Sequence, residues 1–119
     1  LTARLRRKDP DEILVSIISF HEQMQGWLAF LNHARSASQI VFAYTELEGM
    51  GRAFFEMNIL HFSEEAQSCF DDLRKQRIRI GTMDLRIASI AWVESATVLT
   101  ANATDFQKVP GLTIEDWTR

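Results

Sequence analysis

Glu22, Asp84 and Asp105 are the residues of this chain whose type and placement could do chemistry. Glu22 falls in the first turn after a strand expected over residues 14–18, and Asp84 in the first turn after Thr82. Asp105 follows just beyond a strand expected over residues 97–100. In an open parallel sheet, functional groups collect at the carboxyl edge, where strands end and helices begin. If the strands are parallel, all three acids face that edge. Converging carboxylates repel one another, and a hard divalent cation such as Mg²⁺ or Mn²⁺ relieves the repulsion by accepting their oxygens. The reaction class this permits is metal-assisted phosphodiester hydrolysis. Each acid also has a structural use. Glu22 can close a capping box with Ser19, Asp84 can favour a helix N-terminus, and Asp105 with Asn102 can organise a turn. No Ser-His-Asp, Cys-His or CxxC arrangement competes, and the glycines form no phosphate-binding loop. His33 and His61 stand alone, without metal-ligand spacing.

The elements that must position these acids are legible as hydrophobic patterns. Ile13-Leu14-Val15-Ser16-Ile17-Ile18 is rich in β-branched residues and barely alternates, the pattern of a strand covered on both faces in a parallel sheet. Ser19-Phe20-His21-Glu22 then matches a capping box. The helix that follows carries Met24, Trp27, Leu28 and Leu31 on one stripe. Similar stripes are Ile40, Ala43, Tyr44 and Leu47, then Ala66, Cys69, Phe70 and Leu73, and last Met83, Ile87, Ile90 and Ala91. Glu94 falls where the last stripe would continue. These apolar residues are expected in the core. Ser63 and Thr82 are expected helix caps, each with acids in the turn that follows. Further strands are expected over residues 58–62, 97–100 and 112–114, while residues 4–12 read as a surface segment leading into a strand. Strands alternating with helices predict an α/β sandwich with a mostly parallel sheet.

Composition sets the outer bounds. The chain has 119 residues, 46% of them hydrophobic and 24% charged, which describes one globular domain large enough to bury a core. The one cysteine, Cys69, cannot form an internal disulfide, so a reducing cytoplasm is the expected compartment. A net charge of −3 argues against a molecule that binds nucleic acid with its whole surface. Two basic clusters remain as local contacts or solvated faces: Arg4, Arg6, Arg7 and Lys8, and then Arg74, Lys75, Arg77, Arg79 and Arg86. The longest apolar stretch, residues 13–20, is broken by Ser16 and Ser19 and is too short to span a bilayer. No secretory cleavage pattern follows it. Because the sequence opens at Leu1 and not at Met, a preceding segment is expected to be missing.

The sequence resembles the PIN domains, in particular the VapC-type ribonuclease toxins of bacterial and archaeal toxin-antitoxin pairs. The most specific stretches are Arg79-Ile80-Gly81-Thr82-Met83-Asp84-Leu85-Arg86-Ile87-Ala88 and Ala96-Thr97-Val98-Leu99-Thr100-Ala101-Asn102-Ala103-Thr104-Asp105-Phe106. Val109-Pro110-Gly111-Leu112 with Glu115-Asp116-Trp117 follows, and Ser19-Phe20-His21-Glu22 with Gly26 is similar to the family's acid-bearing helix. The resemblance implies a PIN-like three-layer α/β/α sandwich spanning residues 1–119 as a single domain. It departs from the family in two places. The opening strand that ends in an Asp-Thr-Asn or Asp-Thr-Asp motif, which supplies the first metal-site acid, is absent, and Ala101 stands where relatives often place Arg.

The resemblance implies an Mg²⁺- or Mn²⁺-dependent endoribonuclease, with Glu22, Asp84 and Asp105 as the metal-holding and catalytic acids. Asn102, Thr82 and Arg86 are second-rank positioning or phosphate-binding residues. Thr82 has the simpler role of a cap and Arg86 that of a surface ion-pair partner. RNA is the implied substrate, an antitoxin protein the implied partner and a homodimer the implied assembly, in the cytoplasm and away from membranes. The rival reading is a non-catalytic PIN-like interaction protein with an incomplete metal site. Without its Asp-bearing strand the chain is expected to cleave poorly and to expose sheet edges on both sides of a gap.

Overall fold

The structure, a computed structural model, describes residues 3–7 and 13–116. Trp117 and Lys8, which figured in the sequence reading, lie outside the described residues. The chain runs β1 (Arg4–Arg6), β2 (Ile13–Ser16), α1 (Ile17–His33), α2 (Ala37–Glu56) and β3 (Asn58–Leu60). It continues through α3 (Glu64–Lys75), α4 (Thr82–Glu94), β4 (Thr97–Thr100), α5 (Ala103–Phe106) and β5 (Ile114–Asp116). The strands form one sheet in the order β3-β2-β1-β4-β5.

The centre of this sheet differs from expectation. β1 pairs antiparallel with β2 through Leu5 opposite Leu14, and antiparallel with β4 through Leu5 opposite Val98. β2 with β3, and β4 with β5, are parallel. Four of the five strands therefore point one way, and the sheet is mostly parallel as expected, with one reversed strand in its middle. Residues 4–6 are thus not a surface segment, and no gap separates β2 from β4. Three residues suffice because the alternation Arg-Leu-Arg sends Leu5 to one face, where it is fully buried, and both arginines to the other. Arg6 meets Glu115 of β5 there in an ion pair.

The two faces carry separate helical layers. Leu5, Leu14, Leu60 and Val98 join the larger core, built with Ala66, Phe70 and Leu73 of α3 and Leu85, Ile87, Ala88, Ile90 and Ala91 of α4. The α3 and α4 stripes read from the sequence are the ones that pack here. On the other face Val15 packs with Met50 and Phe54 of α2, and with Phe20, Met24 and Trp27 of α1. Here the expected α2 stripe is half wrong. Ala43 is buried and Leu47 is partly so, but Ile40 and Tyr44 are 43% and 58% exposed, as is Leu28 of α1 at 48%. The buried line of α2 runs instead through Ala43, Leu47, Met50 and Phe54, because α1 and not the sheet covers its outer half.

Local boundaries shift for identifiable reasons. β2 ends at Ser16, and α1 starts at Ile17, so the expected strand through Ile18 and the expected cap at Ser19 are both displaced. Ser16 Oγ accepts the Ser19 N–H at 3.1 Å, doing the capping one turn earlier. Ser63 caps α3 as expected, accepting the Ala66 N–H at 3.1 Å. Thr82 does not cap α4: the cap is Gly81, and Thr82 is the first helical residue. Glu94, at the break in the α4 stripe, meets Arg7 at 3.5 Å.

Candidate acidic site at the carboxyl edge

Each of the three acids is placed by a different element arriving at one edge. β2 and β4 run the same way, so α1 and α5, which follow them, both begin at the carboxyl edge. α4 leads into β4 from the opposite direction, which brings its N-terminus to that edge as well. Asp84 lies in the first turn of α4 and Asp105 in the first turn of α5. With the cap at Ser16, Glu22 sits in the second turn of α1 and not in a capping box; Ser16 takes the capping role expected of Ser19, and the back-bonding role expected of Glu22 does not arise.

Electrostatics link the three acids through Asp84. Burial, and secondly the charge of Asp84, push the Glu22 carboxyl above its ordinary range. Burial, and secondly the charge of Asp105, do the same to Asp84. Asp105 goes the other way, held low by a hydrogen bond from Asn102 and then by Lys108. Asn102 Nδ2 donates to Asp105 Oδ2 at 2.9 Å, and Lys108 Nζ lies 3.2 Å from Oδ1. The Asn102 side chain thus serves Asp105 directly, while its own N–H donates to Thr100 Oγ1 at 2.9 Å.

The donor set is all oxygen, hard and mutually repelling, which suits Mg²⁺ or Mn²⁺ in chemistry. Among the described residues, however, no three His, Cys, Asp or Glu side chains gather closely enough to enclose an ion. Charge effects link the acids as two pairs that share Asp84. The central strand adds no carboxylate: it reaches this edge with Arg4 and Ala3, whose carbonyl accepts from Ser19 Oγ at 3.4 Å.

The second-rank residues divide. Asn102 touches the site, and Thr82 is exposed on the first turn of α4. Arg86 does not form the expected ion pair among the described residues; its guanidinium lies over the Phe70 ring at 5.4 Å, with Arg74 on the same ring at 5.6 Å. Lys108 was missed. Its i,i+3 spacing from Asp105 was the available signal, and only the start of α5 at Ala103 gives that spacing meaning.

Comparison with known proteins points in one direction. The chain is 35% identical over 65 residues to the ribonuclease VapC2 of Rickettsia felis, a match covering 51% of this chain and 48% of that protein. It therefore spans about half the length of that relative. It is 28% identical over 109 residues to the ribonuclease VapC1 of Haemophilus influenzae, covering 92% of this chain and 77% of the relative. In structure it is similar to VapBC2 of Rickettsia felis, solved bound to a DNA fragment from its promoter, with TM-score 0.65 and 27% identity over 87% of this chain and 74% of that one. No family model matches. The resemblance to VapC-type PIN-domain toxins read from the sequence is borne out in both sequence and fold.

Proposed function

We propose that this chain, similar in sequence and fold to the VapC ribonucleases, is a toxin ribonuclease of a toxin-antitoxin pair, and that Glu22, Asp84 and Asp105 hold Mg²⁺ or Mn²⁺ for phosphodiester cleavage. The observation that carries this reading is the arrival of α1, α4 and α5, with Glu22, Asp84 and Asp105 in their first two turns, at one edge of the sheet, where the charge of Asp84 acts on Glu22 and that of Asp105 on Asp84. Burial and a like-charged neighbour disfavour the ionised form of both carboxyls, and a bound cation is one way to relieve that.

When bound, a divalent ion supplies Lewis acidity at a phosphate oxygen and lowers the pKa of its water. The chain's own contribution is position. Asn102 holds Asp105 through Oδ2, and the half-buried setting of Glu22 and Asp84 strengthens their pull on a cation. The partners of this reading are RNA as substrate, an antitoxin protein and a second copy of the chain, acting in the cytoplasm. No helix among the described residues is long and apolar enough to cross a membrane.

One observation favours a second reading, a non-catalytic PIN-like interaction protein: among the described residues the central strand brings Ala3 and Arg4, and no acid, to the edge. Titrating the chain and its Asp84→Asn variant with Mn²⁺ while following cleavage of a labelled RNA separates the two. Metal-dependent cleavage lost in the variant supports the enzyme; no cleavage by the parent at saturating Mn²⁺ supports the interaction protein.

A further inference from the structure

We propose that Lys108 is the resident cation of the acidic edge: its ammonium holds Asp105 while no divalent ion is bound, and it must be displaced before an ion can take that carboxylate. The inference rests on the metal-dependent reading above. Lys108 Nζ lies 3.2 Å from Asp105 Oδ1 and 3.0 Å from the carbonyl oxygen of Arg79. An exposed i,i+3 ion pair alone is worth little. The second bond changes that, because Arg79 belongs to the connection between α3 and α4, 29 residues away in the chain, and it tethers the ammonium over the carboxylate.

Both oxygens of Asp105 are engaged from within the chain, Oδ2 by Asn102 at 2.9 Å and Oδ1 by Lys108. The two partners are not equivalent toward a metal. Asn102 donates from a neutral amide and can keep its bond, since each carboxylate oxygen has a further lone pair to offer. An ammonium and a divalent cation on neighbouring lone pairs repel strongly at such separation. With its side chain 45% exposed, Lys108 has solvent to swing into. Metal binding at this edge is therefore an exchange of one cation for another, and the affinity measured for the ion is weakened by the one it replaces.

The test is Mn²⁺ affinity, read by calorimetry and by water-proton relaxation, with no RNA present. Lys108→Gln is expected to bind Mn²⁺ about three- to ten-fold more tightly than the parent, the scale of a lost ion pair amplified by the divalent charge. Lys75→Gln removes the same charge from an exposed position at the end of α3 and is expected to match the parent. Unchanged or weaker binding by Lys108→Gln, or an equal gain in Lys75→Gln, overturns the proposal. If the parent binds Mn²⁺, Asp84→Asn does not, and Lys108→Gln matches the parent, only the role of Lys108 falls. If the parent binds no Mn²⁺, the metal-dependent reading falls and takes this proposal with it.

Discussion

Asp84 stands where burial and a neighbouring acid, Asp105, act together, and the effect is expected to show in stability as well as in activity. Because burial and then Asp105 raise its pKa, the folded protein holds that proton more tightly than the unfolded chain does. The stability contributed by Asp84, and likewise by Glu22, is present at low pH and falls as pH rises from the ordinary carboxylate range through their raised values. Asp105 has the opposite sign: its contribution is present above the ordinary carboxylate range and is lost as pH falls through its lowered value. Asp84→Asn keeps the shape and removes the charge, so the metal-free variant is expected to melt above the parent at pH 7. The gap should close as the pH drops into the carboxylate range, which thermal melts across pH will check. On the proposed function, the same variant should lose Mn²⁺-dependent RNA cleavage by about 100-fold or more, the loss of a charged metal ligand. Full cleavage by the variant would remove Asp84 from the site.

Elements decide where those residues stand, and two of them are set by single side chains. Ser16 is fully buried and caps α1; Ser16→Ala removes the acceptor of the Ser19 N–H and should cost about 1–2 kcal/mol in urea unfolding. Leu5 is the one inward side chain of a three-residue strand in the middle of the sheet. Leu5→Ala should cost about 2–4 kcal/mol and loosen both halves of the sheet together; a loss below about 1 kcal/mol would mean that β1 is not what joins β2 to β4. A third element, the turn before β5, depends on Gly111. Its φ of 76° favours glycine, and a Cβ there would meet the Trp92 ring at 2.6 Å. Gly111→Ala should therefore destabilise by about 1–3 kcal/mol, measured by the same unfolding experiment.

At the scale of the whole molecule, the α1–α2 layer carries more apolar surface than the chain itself covers. Val41, Phe42 and Tyr44 are 65%, 50% and 58% exposed, and Phe55 is 92% exposed. Phe42 still joins Trp27 and Phe30 in a ring cluster, at 5.8 and 6.1 Å, so the tip of the layer is partly organised before any partner arrives. Exposed apolar side chains clustered near the start of α2 are a candidate interface. The chain is expected to be a dimer at high micromolar concentration by light scattering, and Val41→Glu with Tyr44→Glu should shift it to monomer without loss of helix content. A parent that stays monomeric at that concentration would refute the dimer.

What the sequence alone determined was whatever rests on local spacing. The α3 and α4 stripes, the Ser63 cap, the strand Thr97–Thr100 and the alternation of strands with helices all follow from which neighbours share a face over one or two turns. The position of Asp84 at a helix start and that of Asp105 just beyond a strand were legible for the same reason, while the short helix α5 that carries Asp105 was not. Tertiary structure decided the rest. Arg4-Leu5-Arg6 has too short a pattern to separate a strand from a loop, and its place and direction come from ladders to Leu14 and Val98, contacts remote in the chain. Whether Ile17 and Ile18 continue a strand or open a helix depends on what packs above them, so the cap could move from Ser19 to Ser16. The charge effects that link Glu22, Asp84 and Asp105, and the tether that sets Lys108 on Asp105, exist only because three segments far apart in sequence end at the same edge of one sheet.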